Sequence, residues 1–536
     1  MKQLLFLTIS AIIFASAKCD LFTAMVDLEN LKAGEKLVGE HIENYIASEE
    51  KRIDKLKELA KEYSSRTIDN KDISYITNPV NAYTLIKKMS NDWTIIQTLM
   101  NDNKAEHFIK EVKDQRAAKT IKYPGEEDFN GAALALIRLQ ETYNLSTTDL
   151  ADGIILGNNV NKLLTAHDCF EIARSAYNDA DYYHCIKWIQ ESMNRWENEA
   201  TKTIEYTELL EYMAFSLYKQ GNVKRALAMT KKLAALDPAH PRTKGNLKWY
   251  EEMLSEEEKM DSVLPPLKNE RPTFKMIPEQ TVYESLCRGE NTPDIKMLSK
   301  VYCYYKRDLP FLKLAPIKVE IVRFKPLAVL FRGVISDHEI KIIQEMATPR
   351  LKRATVQNAK TGALETASYR ISKSAWLKDQ EHPVINRINK RIGLMTNLNQ
   401  ATSEDLQIAN YGIGGHYDPH FDFARKEETN AFKRLGTGNR IATVLFYMSQ
   451  PEQGGATVFT ELDMPNFPQH HDALFWYNLK RNGEGDERTR HAACPVLTGV
   501  KWVSNKWIHE IGQEFTRPCG LTEGVEENFV GDLSPF

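Results

Sequence analysis

The chain has 536 residues, with 70 Lys and Arg against 73 Asp and Glu, for a formal net charge of -3. At about 150 residues per domain, that length predicts three or four domains, and the charge balance gives no general basic surface for nucleic acid. A 42% hydrophobic and 10% aromatic composition excludes wholesale disorder, and seven cysteines support two or three bridges rather than a disulfide-stapled scaffold.

Lys2 is followed by an apolar run from Leu4 to Ala15, and Ala15-Ser16-Ala17 fits a small-x-small cleavage site. Residues 1–17 therefore read as a secretory signal peptide, too short for a bilayer span. No later segment predicts a transmembrane helix, so the mature chain is expected in a disulfide-permissive lumenal or extracellular space. Asn144-Leu145-Ser146 is a usable glycosylation sequon. Asp532 to Phe536 lacks a lysine-aspartate-glutamate-leucine retrieval signal, so retention in the endoplasmic reticulum requires a partner.

Residues 18–150 read as helical. Ile42, Tyr45, Ile46, Ile53, Leu56, Leu59 and Tyr63 recur at mostly three- and four-residue spacings, with charged residues between them. The stripe suits either an internal core or a dimerisation surface. Asn78-Pro79 interrupts the pattern, and Ala82 to Met100 resumes it.

Residues 151–253 contain two similar helical hairpins. In the second, with Thr207 as first position, Ala214, Ala226 and Pro238 fall at positions 8, 20 and 32 of a tetratricopeptide unit. The first is looser, with Ala173 and Cys185 at the two small positions. Tyr177, Tyr182, Tyr183, Tyr212 and Tyr218 cluster here. They fit either a groove for proline-rich polyproline II peptides or packing within the hairpins. Residues 254–335 read as a connector, with Pro265-Pro266 and a polar loop between Cys287 and Cys303 that would suit a short-range disulfide.

From 336 to 536 the period changes. Ser336 and Glu339 form a capping box before a helix. Strand-like segments Leu406–Tyr411, Ile441–Tyr447, Ala473–Tyr477 and Trp502–Ile508 follow, separated by Gly-, Pro- and Asn-rich turns. The pattern predicts a double-sheet jelly roll. The overall fold class is multidomain α + β, with helical and tetratricopeptide-like domains before the β domain.

His416-Tyr417-Asp418 supplies a His-x-Asp pair, which strand alternation places on one face. With His491 it would complete a two-histidine, one-carboxylate triad for non-haem Fe(II). Glycines around this run permit tight backbone near a metal. Lys501 and His509 share a face if Lys501 to His509 is one strand. A buried Lys501 would pair with a dicarboxylate such as 2-oxoglutarate.

The chain resembles the catalytic alpha subunit of collagen prolyl 4-hydroxylase over essentially its mature length. The resemblance rests on Ala180-Asp-Tyr-Tyr-His184, His416-Tyr-Asp-Pro-His-Phe-Asp422, Phe475-Trp-Tyr-Asn-Leu479, Thr489-Arg-His-Ala-Ala-Cys-Pro-Val496 and Lys501-Trp-Val-Ser-Asn-Lys-Trp507. It implies Fe(II)/2-oxoglutarate dioxygenase chemistry. Peptidyl proline in X-Pro-Gly sequences would be hydroxylated at C4, coupled to oxidative decarboxylation of 2-oxoglutarate to succinate and CO2. It implies iron on His416, Asp418 and His491, the C5 carboxylate on Lys501, the C1 carboxylate near His509, and ascorbate as a further requirement. It implies disulfides Cys287–Cys303 and Cys494–Cys519, leaving Cys19, Cys169 and Cys185 open. It also implies an alpha2beta2 tetramer with protein disulfide isomerase in the endoplasmic reticulum lumen, acting on procollagen or other proline-rich peptides. Two other readings compete: a related dioxygenase for another secretory protein, and a non-catalytic chaperone for proline-rich peptides. One local departure is Gln469-His470-His471-Asp472, where resembling proteins carry a basic, glycine-containing turn. Alternation separates His471 from Asp472, so these are read as loop residues.

Overall fold

The computed structural model describes residues 21–64, 77–117, 122–159, 162–260, 263–272, 276–292, 294–357, 364–428, 430–522, 524–525 and 527. The expected signal peptide, Cys19 and the last residues of the chain lie outside them. The chain divides into two compact units: residues 27–124 in one, and residues up to Val26 with Gly125 onward in the other.

In the smaller unit, a long helix runs through Met25–Ser64 and three shorter ones cover Pro79–Lys87, Trp93–Asn101 and Lys104–Ala117. Asn78-Pro79 starts a helix, because the Asn78 side chain accepts from the Val80 and Asn81 amides while proline occupies a position needing no amide donor. The long helix is fastened to the others by Arg52 donating to the Leu99 carbonyl at 3.0 Å and Tyr63 donating to the Lys88 carbonyl at 2.6 Å. Its Ile42, Ile46 and Ile53 remain exposed.

The larger unit opens with helix Glu126–Thr142, whose Ala133 and Ile137 join the core of the helical array. The array proper comprises Ala166–Asn178, Tyr182–Asn198, Tyr206–Lys219, Val223–Leu236 and Thr243–Met253. Ala173, Cys185, Ala214 and Ala226, the four small residues at repeat positions, are all buried, so paired helices approach closely. Residues 263–272 run beside the second hairpin. Asn222 brackets Lys268 with bonds to its amide and carbonyl, and Gln220 does the same to Glu270.

The β domain is a double-sheet structure, as expected. Its large antiparallel sheet is ordered Cys303–Lys306, Ile317–Arg323, Ala328–Arg332, Ala473–Tyr477, Arg440–Tyr447, Lys501–His509, Leu406–Tyr411, Lys373–Leu377 and Lys352–Arg353. Three of these strands precede residue 336, inside the expected connector. A small sheet places Tyr417–His420, His491–Ala493, Thr457–Phe459 and Met464–Asn466 side by side. Alternation divides each central strand between two cores. Ile408, Val444 and Phe475 pack towards helices Asp337–Ala347 and Pro383–Thr396, while Ala409, Leu445 and Trp476 pack with Phe459 and Met464 of the small sheet. The capping box at Ser336 and Glu339 is present as read.

The disulfide pairing differs from expectation. Cys287, buried at the end of helix Gln280–Cys287, bonds to buried Cys494, with Cα atoms 5.6 Å apart. Cys303, on the edge strand, and Cys519 are free and exposed. Neither Cys287–Cys303 nor Cys494–Cys519 is formed. The helix carries Cys287 into the apolar cluster that holds Ala492 and Cys494, whereas Cys303 belongs to a strand at the sheet's far edge. Non-reducing peptide mapping should recover a Cys287–Cys494 cross-linked pair, and Cys287→Ser should lower stability by about 2–5 kcal/mol. Recovery of a Cys287–Cys303 peptide instead would refute this pairing.

Candidate functional site

Strand Tyr417–His420 pairs antiparallel with His491–Ala493, Tyr417 opposite Ala493 and His420 opposite His491. Four residues on one strand thus answer three on the other, so a bulge lies at Asp418-Pro419. Proline, which lacks an amide donor, is tolerated at such a place. The bulge reverses the alternation. Tyr417 then shares a side with His420, and their rings stack with centroids 3.5 Å apart.

The consequence is a different ligand set from the expected one. His420, Asp422 and His491 bring one donor atom each within 4.8 Å of one another. Asp422 offers Oδ1 to His420 Nε2 at 3.8 Å and Oδ2 to His491 Nε2 at 3.7 Å. Metal–donor bonds of about 2.1 Å span such gaps. His420 Nδ1 donates to the Asp418 carbonyl at 2.7 Å and His491 Nδ1 to the Thr489 carbonyl at 2.9 Å. Those two bonds fix the tautomers and leave both Nε2 lone pairs facing the carboxylate. Two imidazoles and one carboxylate with open positions are the donor set of a non-haem Fe(II) centre.

His416 and Asp418 face elsewhere. His416 Nδ1 lies 3.3 Å from the Gly414 carbonyl, and Arg138 of helix Glu126–Thr142 donates to the same carbonyl at 3.2 Å. Burial, then the Arg138 charge, pushes the His416 imidazole well below its ordinary pKa. Burial lifts Asp418 to about 6 against the pull of Arg138. His416 Nε2 and Asp418 Oδ1 stand 3.4 Å apart, but His491 is not with them. The sequence holds two successive His-x-Asp units, and Pro419 between them was the available sign of a bulge. The neighbouring glycines admit backbone rather than metal. A Cβ on Gly412 would lie 1.9 Å from the Phe22 carbonyl, which accepts from the Ile413 amide.

Asp422 is buried, and burial works to raise its pKa. His491, His420, Arg440 and the Thr443 hydroxyl, which donates at 2.7 Å, more than offset this and hold the carboxyl at about 2. His420 is driven well below its ordinary value by burial, then by His491. Trp476 and Phe459 flank His491 at ring distances of 4.8 and 5.5 Å. Trp476 donates to Asn478, which donates to Thr443, so the apolar wall and the carboxylate's hydroxyl partner form one network.

Lys501 is buried, as the reading requires. Its Nζ donates to the Gly455 carbonyl at 2.6 Å and lies 4.9 Å from the Tyr411 ring. Burial lowers its pKa to about 7, and no carboxylate contributes to the shift. His509 ends the same strand, eight residues on, about 26 Å away at about 3.3 Å per residue. It is held by the Gly438 carbonyl at 2.8 Å, Thr437 at 3.0 Å and Glu404 at 3.0 Å. Glu404 in turn holds Arg440, whose guanidinium lies 3.9 Å over the Trp507 ring. Lys501 and His509 thus stand at the two ends of one strand. Sequence parity placed both on one face but carried no measure of their separation.

In the helical array, Tyr177, Tyr182 and Tyr218 surround Phe215, and Tyr212 packs on Tyr177. Tyr177 and Tyr212 rings lie 4.8 Å apart, and Phe215 approaches Tyr177, Tyr182 and Tyr218 within 6.0 Å. Burial raises the Tyr177 hydroxyl to about 12. Tyr183 points away, against His184 and the Lys187 amine, because adjacent helical side chains diverge by about 100°. Asn144 is exposed beyond helix Glu126–Thr142, with φ 52°.

His420→Ala should weaken Fe(II) binding more than about 100-fold, beyond the effect usual for outer partners. His416→Ala should keep a full equivalent of metal. Metal analysis after anaerobic dialysis distinguishes them, and loss of iron from His416→Ala with retention by His420→Ala would reverse the assignment.

Three family models match successive parts of the chain. Residues 24–157 match the prolyl 4-hydroxylase alpha-subunit N-terminal region, residues 166–256 the prolyl 4-hydroxylase peptide-substrate-binding domain, and residues 406–509 the 2OG-Fe(II) oxygenase superfamily. Prolyl 4-hydroxylase subunit alpha-2 of Caenorhabditis elegans is 61% identical over 97% of this chain and 97% of its own length. Subunit alpha-1 of Homo sapiens is 44% identical over 94% of this chain and 96% of its own. With an oxygenase domain and the two-histidine, one-carboxylate group inside it, the C-terminal region is that of an Fe(II)/2-oxoglutarate-dependent enzyme. Matched end to end in this way, the chain belongs to the prolyl 4-hydroxylase alpha-subunit family.

Proposed function

We propose that the protein hydroxylates peptidyl proline at C4 in collagen-type X-Pro-Gly sequences, coupled to conversion of 2-oxoglutarate to succinate and CO2. The observation that carries this reading is the buried His420, Asp422 and His491 group in a chain similar throughout to such hydroxylases. The three side chains hold Fe(II), which when bound supplies the oxygen-activating chemistry. Lys501 binds the C5 carboxylate of 2-oxoglutarate: it is a buried ammonium whose only hydrogen bond among the described residues is to a carbonyl, so an anion there relieves its desolvation. Trp476 and Phe459 exclude water from the His491 side. Thr443 and the network through Asn478 orient Asp422. Ascorbate would serve to keep the iron reduced.

The ring of Tyr177, Tyr182, Tyr212 and Tyr218 binds proline-rich peptide by stacking on pyrrolidine rings, with hydroxyls free to meet exposed peptide backbone. The exposed Ile42, Ile46 and Ile53 row joins two alpha chains. A partner of the protein disulfide isomerase type completes an alpha2beta2 assembly in the endoplasmic reticulum lumen. The Cys287–Cys494 disulfide and the exposed Asn144 sequon suit that oxidising, glycosylating compartment.

The test is the co-expressed complex with (Pro-Pro-Gly)n, Fe(II), 2-oxoglutarate and ascorbate, assayed for 4-hydroxyproline and succinate. No 2-oxoglutarate-dependent hydroxyproline would sink the reading. Tyr212→Ala should weaken peptide binding about tenfold, the value of one aromatic stacking contact, without changing 2-oxoglutarate affinity.

The Lys501 ammonium gives a pH dependence with a definite sign. Below pH 7 it is already charged; above pH 7 ligand binding must recruit a proton. The Kd for 2-oxoglutarate should therefore rise by up to about tenfold per pH unit above 7. Lys501→Met should flatten that slope and weaken binding by about 100-fold. A pH-independent Kd in the unaltered enzyme would exclude this role for the lysine.

A further inference from the structure

His470 and His471 do not behave as adjacent strand residues. They occupy a turn before strand Ala473–Tyr477, and His471 has φ 77°. Alternation therefore does not apply, and the two imidazoles stack with centroids 3.7 Å apart and planes 21° from parallel. Both reach the same partner. Asp337 Oδ1 lies 2.8 Å from His471 Nε2 and 3.5 Å from His470 Nε2. The three residues place one donor atom each within 4.8 Å of one another, and they share no residue with the His420 group.

These spacings have a chemical meaning. In a tetrahedral site with bonds of about 2.0–2.1 Å, neighbouring donors stand about 3.3 Å apart. The two nitrogen-to-oxygen distances bracket that value. Bonds outside the cluster hold both of its walls. The His471 carbonyl accepts from the Val334 amide at 2.8 Å, and its amide donates to the Tyr447 carbonyl at 3.1 Å. Asp472 is occupied by the Gly333 amide and Arg332, so it is no ligand. Asp337 is the first residue of a helix capped by Ser336. The turn and the helix start are thus held side by side before any ion arrives, a small opening of the ring stack aims both nitrogens at one ion, and the exposed outer side leaves room for water as a fourth ligand.

We propose that Asp337, His470 and His471 form a second metal site, distinct from the iron centre, that takes one Zn2+ through two imidazole nitrogens and a carboxylate oxygen. Two nitrogens and one oxygen suit a borderline divalent ion, and the ion would tie the turn before Ala473–Tyr477 to the start of helix Asp337–Ala347.

The test uses the full chain in its soluble complex, stripped with chelator and dialysed against buffered micromolar Zn2+. Metal is then counted by mass spectrometry, relative to a parallel complex lacking this chain. The unaltered chain should hold two equivalents, one in each histidine group. His470→Lys with His471→Gly should hold one, since glycine accepts φ 77° without strain and the turn is preserved. His420→Ala should also hold one, and the combined variant none. Asp337→Asn, which keeps both imidazoles and the fold, should weaken the second equivalent at least tenfold. Proline hydroxylation by the turn variant should stay within twofold of the unaltered enzyme. Two retained equivalents in the turn variant would overturn the proposal, as would a single equivalent in the unaltered chain that only His420→Ala removes.

Discussion

Asp422 is a carboxylate without solvent, and the β domain is arranged around keeping it charged. Its compensation comes from two imidazoles, a threonine hydroxyl and the nearby Arg440 guanidinium. His420 and His491 sit on neighbouring strands of the small sheet, and Arg440 and Thr443 on one strand of the large sheet, so the site forms only when both sheets close. An isolated buried carboxylate would take up a proton instead. A divalent ion between the donors would complete that compensation, and so the site is bound to the metal electrostatically as well as geometrically.

Lys501 poses the opposite problem. It is a cation in an apolar wall, satisfied by one carbonyl and a tyrosine face, and its lowered pKa expresses the unmet cost. The buried anion and the buried cation reside in the same β domain, and neither contributes to the other's shift. Such paired deficits are typical of sites that store folding stability as binding affinity.

The tyrosine cluster lies on a separate scaffold. Small residues at repeat positions draw the helices together, and that closeness brings Tyr177 to Tyr212 across two hairpins. The disulfide from Cys287 to Cys494 locks the helix that precedes the sheet onto the strand that carries His491.

Periodicity and turn chemistry are local, and the sequence alone determined what depends on them: the repeat hairpins, the capped helix at Ser336, the four central strands, the burial of Lys501 and the membership of His491 in a two-histidine, one-carboxylate group. Tertiary structure decided whatever depends on register or long-range approach. A bulge at Pro419 exchanged His416 and Asp418 for His420 and Asp422, because one extra residue turns every later side chain to the other face. Cys287 found Cys494 rather than its nearer neighbour, because the helix end and the ligand strand share an apolar cluster. Likewise, His470 and His471 met Asp337 only because a left-handed turn, which alternation does not describe, brought two adjacent rings onto one side.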